Sequence, residues 1–359
     1  MKIGIITPAP PGSRYGNRVT ALRWARILRR LGHSVIIRQT YEGEAFDLLI
    51  ALHAHRSFAS ITRFHREHPD TPIIVALTGT DLYGDMRRSP HVCASLELAT
   101  RIVGLQPKAP DALRPQLREK TRVIYQSVAA MNNKALNDKA RASAPDPRSS
   151  PSTRRASRLS SRAPGTFDVC VIGHLRPVKD PFRAAMAARL LPASSRVRVI
   201  QVGGSMSEQA AIRARTEMKT NDRYCWLGEQ PAWRVRRILQ RSRVFVLSSR
   251  MEGGANVLGE ALVSRIPVLA SRIPGSVGIL GEGYPGYFEV GDTSELARLM
   301  TLSETDQEFF AKLKKHCNRL VPLFDPAREE AAWAQLLGEL FKPVRRGEGG
   351  AVDLMTPLT

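Results

Sequence analysis

"SSRMEGGANVLGEALVSRIPVLAS", residues 248–271, sets Glu252 and Glu260 on either side of a turn made of two glycines and an alanine. An apolar, β-branched run, "VFVLSS", leads into it and a second, "IPVLA", follows it. That order reads as strand, turn, helix and parallel strand. Asn256 is the expected N-cap of the helix that carries Glu260. Gly253 and Gly254 leave backbone N–H groups bare ahead of it, and a helix N-terminus with free donors attracts anions. A carboxylate at Glu252 is poorly matched to phosphate there but well matched to sugar hydroxyls. Glu260, a turn or two into the helix, suits the hydroxyls of a ribose. Read alone, the same residues also make a plain turn with a surface carboxylate, so the rest of the chain must decide.

The first 130 residues alternate short Ile/Val/Leu-rich runs with helical patterns. "KIGIIT", "SVIIRQ", "DLLIAL", "PIIVAL", "RIVGL" and "RVIY" are nearly continuously apolar, as parallel strands covered on both faces are. Between the first two, Ala21, Trp24, Ala25, Leu28 and Leu31 form one helical face, with Asn17 as the expected N-cap and Gly32 as the stop. The Ser-, Pro- and Arg-rich segment 133–165 breaks the alternation and reads as a disordered basic linker. Alternation resumes with "FDVCVIG", "RVRVIQVG", "YCWLG" and "RVFVLSS". A final helix starts at Asp325-Pro326 with Trp333, Leu336, Leu337 and Leu340 in line. The expected organisation is α/β throughout: a Rossmann-like domain at 1–132, the linker, a second Rossmann-like domain at 166–322, a helix at 323–342 packing back on the first domain, and a disordered tail at 343–359. Two doubly wound domains present their strand carboxyl ends to a shared cleft, where ligands bind.

The formal charge is +21, which raises nucleic acid as a partner. The linker alone holds eight Lys/Arg against two Asp. The remainder is scattered over helix faces, at Arg23, Arg26 and Arg30 for example, with no aromatic-interleaved stripe. Such a field also draws in small phosphorylated substrates, and the pattern argues against a nucleic-acid partner. Cys93, Cys170, Cys225 and Cys317 are widely spaced without a CxxC pair, which suits a reducing compartment and argues against a zinc site. With no long apolar run and an N-terminal strand too short for a signal segment, the expectation is a cytoplasmic protein without stable membrane association.

The Glu-x7-Glu turn ahead of "LGEAL" and "PVLA" resembles the donor site of GT-B nucleotide-sugar glycosyltransferases, family 4-like. "GHLRPVKDP", 173–181, resembles the same family's diphosphate loop, which carries an arginine directly after the glycine and a lysine six positions after it. Lys179 matches the lysine. His174 stands at the arginine position, and Arg176 two residues on is the candidate substitute. "YCWLG" falls where this fold contacts the base, which brings in Gly228. The resemblance implies a GT-B fold and a donor site of Glu252, Gly253, Gly254, Ala255, Asn256, Val257, Glu260, Arg176, Lys179 and Gly228. No Asp-x-Asp occurs in the chain, so the reading expects no metal and assigns the leaving diphosphate to Lys179, Arg176 and a helix N-terminus.

"TPAPPGSRYGNRVTALRWARIL", "LHAHRS" and "ALTGTDLYGD" resemble, more particularly, the selenosugar synthases of selenoneine biosynthesis. That resemblance implies transfer of a sugar from a UDP-sugar, UDP-GlcNAc or UDP-glucose, to selenophosphate. The cationic loop of Gly12, Ser13, Arg14, Asn17 and Arg18, with Thr78, Gly79 and Thr80, is then the expected acceptor site. Asp81 orients that rim or caps the next helix. The catalytic set is Glu252, Arg176, Lys179 and His53, with His55 beside it and Tyr15 and Tyr83 as candidate walls. The alternative is a GT-B enzyme with a hydroxyl acceptor, such as a lipid or polysaccharide precursor. A nicotinamide dehydrogenase is disfavoured because the first turn lacks G-x-G-x-x-G.

Overall fold

The computed structural model describes residues 1–86, 88–129 and 165–341; the linker segment 133–164 and the tail 343–359 lie outside them. Two six-stranded, all-parallel sheets organise the chain. The first contains β1 (Lys2–Ile6), β2 (Ser34–Arg38), β3 (Leu48–Leu52), β4 (Ile73–Ala76), β5 (Arg101–Gly104) and β6 (Thr121–Val123), in the order β2-β1-β3-β4-β5-β6. Helices α1 (Gly16–Arg30), α2 (Phe58–Glu67), α3 (Pro90–Leu98) and α4 (Pro115–Glu119) connect them. The central strands are buried on both faces: all five residues of β3 are fully covered.

The second sheet contains β7 (Phe167–Ile172), β8 (Val197–Val202), β9 (Tyr224–Trp226), β10 (Val244–Leu247), β11 (Val268–Ser271) and β12 (Tyr287–Phe288), in the order β12-β11-β10-β7-β8-β9. Its helices are α5 (Arg183–Arg189), α6 (Glu208–Thr220), α7 (Ala232–Arg241), α8 (Asn256–Val263), α9 (Pro274–Leu280), α10 (Thr293–Thr305) and α11 (Gln307–Leu320). The last helix, α12 (Pro326–Phe341), returns to the first sheet, where Trp333, Leu336 and Leu337 join the core of Trp24 and Leu28. The chain therefore passes between the sheets twice, and the passages touch: Val128 N–H donates to the Phe324 carbonyl at 3.0 Å.

Both cap assignments need correction. Helix α1 is capped at Tyr15, whose carbonyl already accepts from Arg18 and Val19, so Asn17 is inside the helix. Helix α8 is capped at Ala255, and the Asn256 side chain is turned elsewhere. Leu31 lies at the C-terminal boundary of α1, with Gly32 at φ +86 ending it as expected.

Candidate active site

Each sheet reverses its strand order once, between β1 and β3 in the first and between β7 and β10 in the second. The loops after these strands diverge and open crevices at the carboxyl ends. The two crevices face each other across one cleft of about 580 Å³. The loops after β7 and β10 carry Arg176, Lys179 and Glu252; those after β1 and β3 carry Arg14, His53 and Arg56.

On the second-domain wall the two loops are tied together. Arg250 N–H donates to the Val178 carbonyl at 2.8 Å, and Ser248 Oγ donates to the carbonyls of Asp180 (2.9 Å) and Lys179 (3.1 Å). The Glu252 carboxylate is nearly buried; its Oε1 accepts from Ser249 Oγ at 2.6 Å and from Lys179 Nζ. Glu260 faces the cleft with no hydrogen-bond partner among the described residues. Burial pushes its carboxyl above the usual range, against the opposing pull of Arg236 and Arg23. Arg176, Ala255, Asn256, Val257 and Gly254 also line the cleft. Gly228 does not, although its carbonyl accepts from the N–H of Gly203, a lining residue, at 2.9 Å. His174 lines the cleft, and its ring meets Tyr15 edge-on at 5.7 Å.

Gly253 also departs from the expectation of a bare anion-binding turn. It packs backbone to backbone against Gly79 of the first domain. A Cβ on Gly253 would lie 2.6 Å from the Gly79 nitrogen, and one on Gly79 2.5 Å from the Gly253 nitrogen. Gly79 holds φ +124, a region open to glycine. The glycines of the opening stretch thus let the two domains touch.

On the first-domain wall, His53 ends β3 at φ +73, is buried, and places Nε2 3.0 Å from Thr80 Oγ1. Burial lowers its pKa below the ordinary value, with Asp81 partly opposing, so the ring is neutral at neutral pH. The amides of Thr78 and Gly79 are not free. Both donate to Asp81 Oδ1 at 2.9 Å, while Asp81 Oδ2 accepts from Ala54 N–H at 2.9 Å. Asp81 is fully buried and fixes the turn after β3 against the turn after β4.

Of the expected acceptor loop, Gly12, Ser13 and Arg18 lie outside the cleft lining, while Arg14 and Asn17 line it. Arg14 reaches across the cleft, donating to the Gln230 carbonyl at 2.7 Å with Glu229 3.7 Å away. Arg56 is exposed, lines the cleft, and has no side-chain partner among the described residues. His55 instead bonds Ser89 at 2.8 Å and lies outside the lining, as does Tyr83, which bonds Gln106 at 2.7 Å. Among the described residues, no three His, Cys, Asp or Glu side chains gather as a metal-holding group.

Sequence reasoning missed Gln126, Glu229, Gln230 and Arg236, which also line the cleft. It read Arg23 as a surface cation, whereas Arg23 is mostly buried at the domain boundary. None of these has a local signature; only the pairing of distant strands brings them here.

Two parallel, doubly wound sheets facing a cleft constitute the GT-B glycosyltransferase fold. Within it, residues 154–319, which take in the second domain, match the family model described as glycosyl transferases group 1. Among solved structures, HepE of Anabaena in complex with UDP-glucose superposes with a TM-score of 0.71 at 15% identity, over 94% of this chain and 100% of that one. Sucrose-phosphate synthase of Thermosynechococcus elongatus gives 0.71 at 15%, over 95% and 99%. A glycosyltransferase of Rickettsia africae gives 0.66 at 12%, over 95% and 98%. No curated protein matches the chain in sequence. Among the described residues, no helix is long and apolar enough to cross a membrane.

Proposed function

We propose that the protein is a selenosugar synthase, which transfers a sugar from UDP-GlcNAc or UDP-glucose to selenophosphate in selenoneine biosynthesis. The observation that carries the reading is the one-sided placing of the carboxylates in the cleft. Its lining carboxylates, Glu229, Glu252 and Glu260, all come from the second domain, whereas the first domain contributes Arg14, Arg56, His53, Thr78 and Thr80. The donor end suits a nucleotide sugar: Glu260 for the ribose, Glu252 for the sugar, Arg176, Lys179 and the α8 N-terminus for the diphosphate. HepE, of the same fold, holds UDP-glucose.

At the acceptor end, Asp81 is committed to backbone donors and offers no general base. Selenophosphate needs none, because its selenium is already an anionic nucleophile. Selenium attacks the anomeric carbon as the carbon–oxygen bond to UDP breaks. Water then cleaves the P–Se bond, releasing phosphate and leaving the 1-seleno-sugar. The leaving UDP is neutralised by Lys179 and Arg176 without a metal, consistent with the absence of Asp-x-Asp from the sequence. Four free thiols support a cytoplasmic setting.

A hydroxyl acceptor is the second reading, supported by the neutral His53 ring at the cleft wall, a potential general base. Incubation with each UDP-sugar and selenophosphate, followed by mass detection, separates them. UDP and a selenium-bearing sugar are expected. UDP release only when a hydroxyl acceptor is supplied would overturn the selenium reading.

A further inference from the structure

Behind the donor turn lies a buried polar chain that crosses the domain boundary. It starts on α12 at Glu329, which is 2% exposed. Glu329 Oε1 accepts from Trp24 Nε1 at 2.8 Å, and Oε2 accepts from the Ser127 backbone N–H at 2.8 Å and from the Ser127 hydroxyl. Arg23 on α1 places Nε 3.4 Å from Glu329 Oε1. Its Nη1 donates to the Ser127 carbonyl at 3.2 Å and its Nη2 to Asn256 Oδ1 at 2.9 Å. The Gln126 amide, oriented to satisfy both its ends, donates to Asn256 Oδ1 and to the Gly254 carbonyl, each at 3.1 Å. Asn256 opens α8, lines the cleft, and precedes Glu260 by one helical turn.

We infer that Arg23 and Glu329, neither of which lines the cleft, are positioning residues for the donor-binding turn 253–256 and thereby for donor affinity. The inference rests on the donor half of the proposed function. A carboxylate with three hydrogen bonds is a fixed anchor; a guanidinium with Nε beside it and both Nη atoms donating, to Ser127 and to Asn256, has little rotational freedom. Its far end then holds Asn256, and with it the start of α8, at one place and angle. The second domain supplies the donor residues, but the first domain and the C-terminal helix set where their turn stands. A lysine at position 23 keeps a charge near Glu329 yet cannot serve Ser127, Glu329 and Asn256 together.

Calorimetric titration of the full chain with UDP, alongside melting curves, tests this. Arg23→Lys is expected to fold and to weaken UDP binding about tenfold, the loss of one charge-assisted hydrogen bond. Glu329→Gln, which keeps an acceptor for Trp24 but frees Arg23, is expected to weaken it in the same direction. Asn256→Ala is expected to be non-additive with Arg23→Lys, because both cut the same link. A purely structural role would lower the melting temperature and leave the UDP affinity of the folded protein unchanged; that result, or additivity with Asn256→Ala, overturns the inference. If the parent binds UDP and these variants bind it equally well, only the positioning role falls. If the parent binds no UDP, the donor reading falls and takes the role of Arg23 with it.

Discussion

Glu260 is a carboxylate held in the cleft wall with only distant cations for company, and its chemistry is readable through pH. Burial raises its pKa in the folded protein. The folded chain thus holds this proton more tightly than the unfolded chain. Its contribution to stability is full below the unfolded carboxylate pKa and is lost as pH rises through the folded one. Melting curves across acidic pH should show the parent losing stability upward from about 4.3, the ordinary glutamate value, while Glu260→Gln lacks that component. The same substitution should weaken UDP binding by roughly 10- to 100-fold if the residue accepts ribose hydroxyls. Stability and affinity moving in opposite directions would mark a group kept for a ligand. On the facing wall, the proposed selenophosphate acceptor predicts that Arg56→Ala raises the KM for selenophosphate by about tenfold or more and leaves the KM for UDP-sugar nearly unmoved. A defect confined to the UDP-sugar would place the acceptor elsewhere. The cleft positions of Glu252, Arg176 and Lys179, in loops that directly follow strands, and of Glu260, one turn into the helix after such a loop, were legible in the sequence because local geometry preserves that spacing. Asp81, expected to orient the rim or cap the next helix, does hold the rim amides of Thr78 and Gly79; the surroundings of Arg18 and Arg23 were not legible, because charge on a helix looks alike whether water or a neighbouring domain covers it.

At the scale of elements, the strands were the most legible part, since burial on both faces leaves continuous apolar runs. Helix starts were less so: Asn17 and Asn256 have the composition of caps, but Asn256 is engaged by Arg23 and α1 is capped two residues earlier, at Tyr15. Helices α9 to α11 and strand β12 were not read. The first is glycine-rich and the strand is two residues long, so neither carries a periodic pattern. The Gly253–Gly79 contact is the clearest test of how elements from the two sheets meet. Gly253→Ala adds a single methyl carbon that would stand 2.6 Å from the Gly79 nitrogen, so one backbone must move. The expected result is a folded protein with widened domain spacing in small-angle scattering and a turnover reduced tenfold or more, since the reacting groups come from opposite walls. An unchanged scattering profile with full turnover would mean that the contact is incidental.

Across the whole molecule, α12 belongs to the first domain by packing although it follows the second in the chain. Trp333 and Trp24 are both fully buried and meet edge-to-face with ring centres 4.8 Å apart. Aromatic truncation in such a core costs about 3–5 kcal/mol. Because Trp333 lies in the core of the first sheet and not of the second, the loss should fall on one domain. Two domains need not unfold as a single transition. In urea, Trp333→Ala should therefore shift the first domain's unfolding to lower denaturant and leave that of the second nearly in place. Among the described residues the indole N–H of Trp333 has no hydrogen-bond partner, so the ring's packing and not its polar atom supplies the stability. Trp333→Phe should accordingly recover most of the loss, staying within about 1.5 kcal/mol of the parent. A Phe variant as unstable as the Ala variant would show that the indole's full volume, rather than an aromatic ring against Trp24, holds α12 in place. Equal shifts in both domains would show instead that the two sheets unfold together, joined through the paired passages at Val128 and Phe324.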